Sequence, residues 1–311
     1  KVVGFFPTYV PTELVLAAGA LPVGIWGGSI PVSRANAYIQ QFTCSIVRSA
    51  TEYALKGTFD VLDTVLFPPI CDSVKMVSSS WKLNLSDRFH VDMVNLPERL
   101  DSDSSVAYLA AELRRTANML SQRIGQPIGD EAVRRAIGAC NRVRAAQEKF
   151  YAWRQTPAGA QAAFPDVCTI VKAATVMEPE EYVGLLEGFL AAAETPPQRR
   201  SRAVPVVVTG LACQLPHADF LGVFESAGLR VVNDDLLFGM RACGQIAVDG
   251  DPYMNIARAL ADSKPLATRF HSRRLRHELV LEQVRTGKAQ AAVFLVPKFC
   301  EPEWFDLRYL K

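Results

Sequence analysis

Three of the seven cysteines stand where the chain passes from a strand or turn into a helix: Cys44 in QQFTCSIVRSA, Cys71 in LFPPICDSVKM and Cys300 in FLVPKFCEPEWF. A thiolate at such a junction meets unpaired backbone N–H groups and the positive end of a helix dipole, the setting that iron–sulfur ligands need. Two of the three lie in the first quarter of the chain and the third near its far end, which excludes a local metal knuckle. A site that uses all three is assembled from distant parts of the fold, as a cluster between domains. The competing reading makes them free thiols that fill core space, a common role of cysteine outside disulfides. A disulfide framework fits poorly, because the count is odd, no close-set spacing appears, and the chain is long enough to bury a core without staples. The thiols are therefore read as reduced and the compartment as cytoplasmic.

The other cysteines divide. Cys140 and Cys168 fall within or beside helical patterns and are expected in the core, whereas Cys213 and Cys243 each follow a turn after an α/β strand and are candidates to approach the crevice. Asp72 and Glu301 come directly after Cys71 and Cys300. A carboxyl group buried beside a cluster keeps its proton and serves as an acid, while one in a first helical turn caps N–H groups; both readings stand for this pair. Tyr9 and Glu13, after the first strand, are candidate substrate-lining residues. None of the four histidines sits beside these motifs.

A chain of 311 residues leads us to expect two domains, and 49% hydrophobic against 21% charged residues builds cores rather than disorder. A net charge of +2 gives no reason to expect a nucleic-acid partner, and the basic runs QRRSR and HSRRLRH read as a solvated linker and a helix face. No apolar run approaches a membrane span and no signal peptide is visible. The sequence begins without Met inside what reads as a strand, and Lys311 reads as about one turn into a helix, so both ends of the natural protein are expected to lie beyond it.

The elements that position the cysteines follow from periodicity. Strands are expected at Val2 to Phe6, Leu21 to Ile25, Leu62 to Phe67 and Val91 to Leu96, with helices from Pro11 to Ala18 and from about Arg34 to Leu55. Residues 101–123, 130–154 and 178–194 read as helices without intervening strands, with TPAGAQAAFPD as a break. A second α/β unit has strands at Val204 to Thr209, Arg230 to Asn233 and Ala291 to Val296, and helices at 217–227, 252–261 and 272–285. The expected fold is α/β: two doubly wound parallel-sheet domains, 1–100 and 201–311, around a helical insert and linker, 101–200.

The segments PTELVLAAGALPVGIWG, CSIVRSA, PPICDSVKMVSSSW, the Thr209-Gly210 turn and KFCEPEW together resemble the subunits of 2-hydroxyacyl-CoA dehydratases and benzoyl-CoA reductases, over nearly the whole chain. CSIVRSA and PPICD are most similar to the smaller cluster-bearing subunit of an ATP-dependent benzoyl-CoA reductase. The resemblance implies one 4Fe-4S cluster on the positions matching Cys44, Cys71 and Cys300, with a fourth iron site left open. A double-cubane cluster with further thiolates is a minor alternative. It also implies a heterodimeric core with a related cluster-bearing subunit, a separate ATP-hydrolysing activator that injects electrons, a ferredoxin upstream, and an acyl-CoA substrate. In the reductases an aromatic acyl thioester becomes a cyclic dienoyl thioester; in the dehydratases a recycled electron makes a ketyl that expels hydroxyl. A non-catalytic scaffold subunit is the remaining reading. The absence of a GxxxxGK[ST] loop places ATP on a partner, and the absence of GxGxxG counts against a nicotinamide enzyme.

Overall fold

Short β-branched runs separated by amphipathic segments pair in parallel, because each helical crossover returns the chain to the same end of the sheet. The computed structural model describes residues 1–6, 8–193, 202–210, 216–236, 239, 241–242, 244–269 and 276–310. The first unit contains β1 (Val2–Phe5), α1 (Thr12–Ala17), β2 (Leu21–Gly24), a 3-10 turn (Arg34–Ala37), α2 (Ser45–Leu55), β3 (Thr64–Phe67), α3 (Asp72–Asn84) and β4 (His90–Met93). There follow α4 (Asp103–Ile124), α5 (Asp130–Arg154), α6 (Phe164–Ala173) and α7 (Pro179–Ala192). The second unit contains β5 (Val204–Thr209), the short α8 (Ala218–Leu221) and α9 (Val223–Ser226), and β6 (Leu229–Asp234). It continues through α10 (Pro252–Ala261), α11 (Arg276–Thr286), β7 (Ala291–Phe294) and α12 (Glu301–Leu310).

Both sheets are parallel, with strand orders β2-β1-β3-β4 and β6-β5-β7. In each, the first strand is internal and the chain crosses to its other side at the third. Crevices therefore open beyond the carboxyl ends of β1 and β3 and of β5 and β7, where parallel sheets hold ligands. Cys71 follows β3 and Cys300 follows β7.

The helices of the middle segment share the cores of both units. Leu109, Leu113 and Leu120 of α4 and Val133 and Ile137 of α5 join the core built on β1 and β3, together with Tyr253 and Ile256 of α10. Further along α5, Phe150 and Tyr151 join Phe164 and Val167 of α6, Tyr182 of α7 and Val206 and Val208 of β5 in a second core. One 25-residue helix thus links the two. No helix among the described residues is long and apolar enough to cross a membrane.

Three expectations need correction. The helix foreseen from about Arg34 to Leu55 is a 3-10 turn followed by a separate α2, because Cys44 takes an extended conformation (φ −58°, ψ 151°) as the N-cap of α2. The strand foreseen to Leu96 ends at Met93, where Asn95 N–H turns away to the Glu112 carboxylate at 2.9 Å. The break foreseen in TPAGAQAAFPD holds from Gln155 to Ala163, and only its last three residues depart from the expectation by opening α6 at Phe164, since Pro165 fits a first helical turn whose N–H groups lack partners in any case. In addition, α12 extends over ten residues, further than the single turn read from the sequence.

Candidate metal centre

Helix starts deliver all three cysteines. Cys44 caps α2, Cys71 caps α3 in an extended conformation (φ −157°, ψ 169°), and Cys300 immediately precedes α12, its carbonyl accepting from Trp304 N–H at 3.1 Å. First-turn N–H groups favour the thiolate at each position, those of Val47 and Ile46 at Cys44, of Val74 and Ser73 at Cys71, and of Glu303 at Cys300, although neither Cys44 nor Cys71 accepts a capping hydrogen bond. The three thiols share one electrostatic neighbourhood. Charge on Cys71 is felt at Cys44, and charge on both is felt at Cys300. Burial nevertheless pushes all three upward, Cys300 to about 12, so the metal-free thiols hold their protons at neutral pH and a metal must displace them.

Among the described residues no three His, Cys, Asp or Glu side chains converge on a point that would hold a single ion. Thiolates on one tetrahedral ion approach to about 4 Å. A polynuclear cluster, whose cysteines bind different irons, takes thiols set further apart than that. The donor set, three soft sulfurs at helix starts, fits such a group.

The surrounding loops are tied down by buried charge. The Glu52 carboxylate of α2 accepts from the N–H groups of Ser33 and Ala35 at 3.0 and 2.9 Å and from the Ser33 hydroxyl at 3.2 Å, anchoring the loop that leads to Cys44. Arg269, from the second half of the chain, donates to the Pro69 carbonyl just before Cys71 and pairs with Glu98 at 3.2 Å. Sequence reasoning missed Glu52, Arg269 and Glu303. Only Glu303 carried a local signal, an acid three residues after a capping residue. Its side chain turns instead to Arg276, and burial pushes its carboxyl above the usual range against that guanidinium.

The remaining sequence candidates are scattered around this centre. Asp72 is fully exposed, with Lys75 at 3.8 Å, and Glu301 is exposed, so neither has the burial that the proton-donor reading supposed. Tyr9 and Glu13 are buried and line a cavity of about 650 Å³ together with Arg144, Arg241 and Cys140. Glu13 pairs with Arg144, and burial pushes the Tyr9 phenol up despite the opposing charges of Arg241 and Arg269. None of the three site cysteines lines that cavity. Cys140 and Cys168 are buried core residues. Cys213 and Cys243 lie outside the described residues, as do positions 198–201 and 271–275 of the two basic runs.

A family model described as 2-hydroxyglutaryl-CoA dehydratase, D-component, matches residues 7–311. A benzoyl-CoA reductase subunit of Thauera aromatica is 32% identical over 308 residues, covering 97% of this chain and 79% of that protein. The (R)-phenyllactyl-CoA dehydratase beta subunit of Clostridium sporogenes is 26% identical, covering 100% and 82%. The (R)-2-hydroxyglutaryl-CoA dehydratase beta subunit of Acidaminococcus fermentans is 28% identical, covering 100% and 83%.

Proposed function

The chain belongs to the 2-hydroxyglutaryl-CoA dehydratase D-component family, and on that premise we propose that it is the iron–sulfur subunit of an aromatic acyl-CoA reductase, with benzoyl-CoA as leading substrate. The observation that carries the reading is the placement of Cys44, Cys71 and Cys300 each at the start of a helix. A 4Fe-4S cluster held there supplies single electrons at low potential. The chain's own part is to hold it: first-turn N–H groups stabilise the thiolates, and the half-buried position of Cys71 and Cys300 leaves one side for a partner. The partners proposed are a related cluster-bearing subunit and an ATP-hydrolysing activator fed by a ferredoxin, in the cytoplasm.

The internal placement of β1 and β5 supports reading units 1–100 and 201–311 as doubly wound. The cavity at Tyr9 and Glu13 is the proposed substrate-facing recess. Exposure of Asp72 and Glu301 makes any proton donation by them depend on a partner that covers them.

A second reading, a 2-hydroxyacyl-CoA dehydratase subunit, is favoured by the beta subunits of two dehydratases among the relatives. The deciding experiment assays the complex with its activator and ATP under strict anaerobiosis, offering benzoyl-CoA and 2-hydroxyacyl-CoA thioesters in parallel. Dienoyl product from benzoyl-CoA, lost in Cys71→Ser, is expected. ATP-dependent water loss from the hydroxyacyl thioester alone would select the second reading, and full turnover in Cys71→Ser would reduce this subunit to a scaffold.

A further inference from the structure

The turn that delivers Cys300 is strained, since Phe299 holds a φ of +68°, a left-handed conformation unfavourable to a residue with a bulky side chain. Something must hold it. Glu303, in the first turn of α12, is 1% exposed, and its carboxylate accepts from Arg276 Nη1 at 2.8 Å. Arg276, buried at the start of α11, also donates to Asp306 Oδ2 at 2.8 Å and lies 3.7 Å from Asp235 Oδ2. Asp235 Oδ2 in turn accepts from the Thr209 hydroxyl and from Arg241 Nη2, each at 2.5 Å. The start of α12 is thereby fastened, through buried charges and the Thr209 hydroxyl, to the carboxyl ends of β5 and β6.

A buried ion pair is a weak source of stability, because apolar residues of the same volume often do as well. This one is also incompletely satisfied: among the described residues Asp235 Oδ1, Arg276 Nε and Glu303 Oε1 find no hydrogen-bond partner. Such a network is better explained by what it fixes in place. The residue whose side chain it grips lies three positions after Cys300, in the first turn of the helix that Cys300 leads into.

We propose that Glu303 and Arg276 are positioning residues for Cys300, holding the first turn of α12 against the strain at Phe299 so that the sulfur keeps its place at the start of that helix. The inference rests on reading Cys300 as a cluster ligand. The test uses the metal-free full chain, with iodoacetamide alkylation of each thiol followed by peptide mass spectrometry. In Glu303→Ala, Cys300 is expected to react about tenfold faster while Cys44 and Cys71 stay within about twofold of wild type. Glu303→Gln, which keeps the volume and an acceptor for Arg276, is expected to restore most of the protection. An unchanged Cys300 rate, or an equal rise at all three thiols, overturns the proposal. Should Glu303→Ala fail to fold, Asp306→Asn decides: a selective rise of about threefold at Cys300 supports the clamp, and no selective rise overturns it. Since no metal is involved, failure of wild-type protein to take up iron would refute the proposed function and leave this result standing.

Discussion

Glu52 sits eight residues beyond Cys44 on the helix that Cys44 caps, and it is fully buried. Burial opposes its ionisation, but the Ala35 and Ser33 N–H groups and the Ser33 hydroxyl outweigh that and hold the carboxyl below the usual range. Replacing it with Ala strips three donors of their acceptor, for an expected loss of about 2–3 kcal/mol in urea unfolding at pH 7. The folded state favours the ionised carboxylate, so its contribution is complete above the unfolded pKa of about 4.3 and is lost as pH falls through the lower folded value. The stability gap between wild type and Glu52→Gln is therefore expected to narrow on acidification below about pH 4; a gap that widens would contradict the assignment. The cysteines were legible because a helix start is a local event, written in the residues that flank it. Glu52, Arg269 and Glu303 were not, since each is defined by partners 17 to 200 positions away.

At the level of elements, the strands and most helices were readable from their periods, and the errors fell where a cap or a turn overruled periodicity. Cys44 breaks the long helix foreseen there because its extended backbone starts a new one. The Thr209-Gly210 turn was seen, but its reason is tertiary. Gly210 has a φ of +94°, and a Cβ there would lie 2.7 Å from the Leu295 carbonyl oxygen on the segment leading to Cys300. Gly210→Ala is expected to cost about 2 kcal/mol or more, and to speed alkylation of Cys300, whereas a neutral effect would deny that β5 and the turn after β7 are in close contact. The opposite sign is expected at Gly138 in the middle of α5. An added methyl meets nothing nearer than Arg142 Nη1 at 3.9 Å, so Gly138→Ala should stabilise by about 0.5–1 kcal/mol.

Across the whole molecule α5 carries residues of both hydrophobic cores, with Val133 and Ile137 in one and Phe150 and Tyr151 in the other. A division into separate units is legible in the sequence, but this sharing is not, because an amphipathic pattern shows that a helix face is covered without showing by what. One cooperative thermal transition, coincident by calorimetry and near-ultraviolet circular dichroism, is the expected consequence; two separated transitions would mean that α5 does not couple the units. The same coupling links the unit that carries Cys300 to the one that carries Cys44 and Cys71. The most direct test of that arrangement is iron and acid-labile sulfide analysis of the anaerobically reconstituted chain, with Cys44→Ser, Cys71→Ser and Cys300→Ser alongside. A brown protein with about four irons and four sulfides per chain is expected, with a loss of most of both in each variant. A colourless, iron-free wild type, or iron content indifferent to all three substitutions, would contradict it.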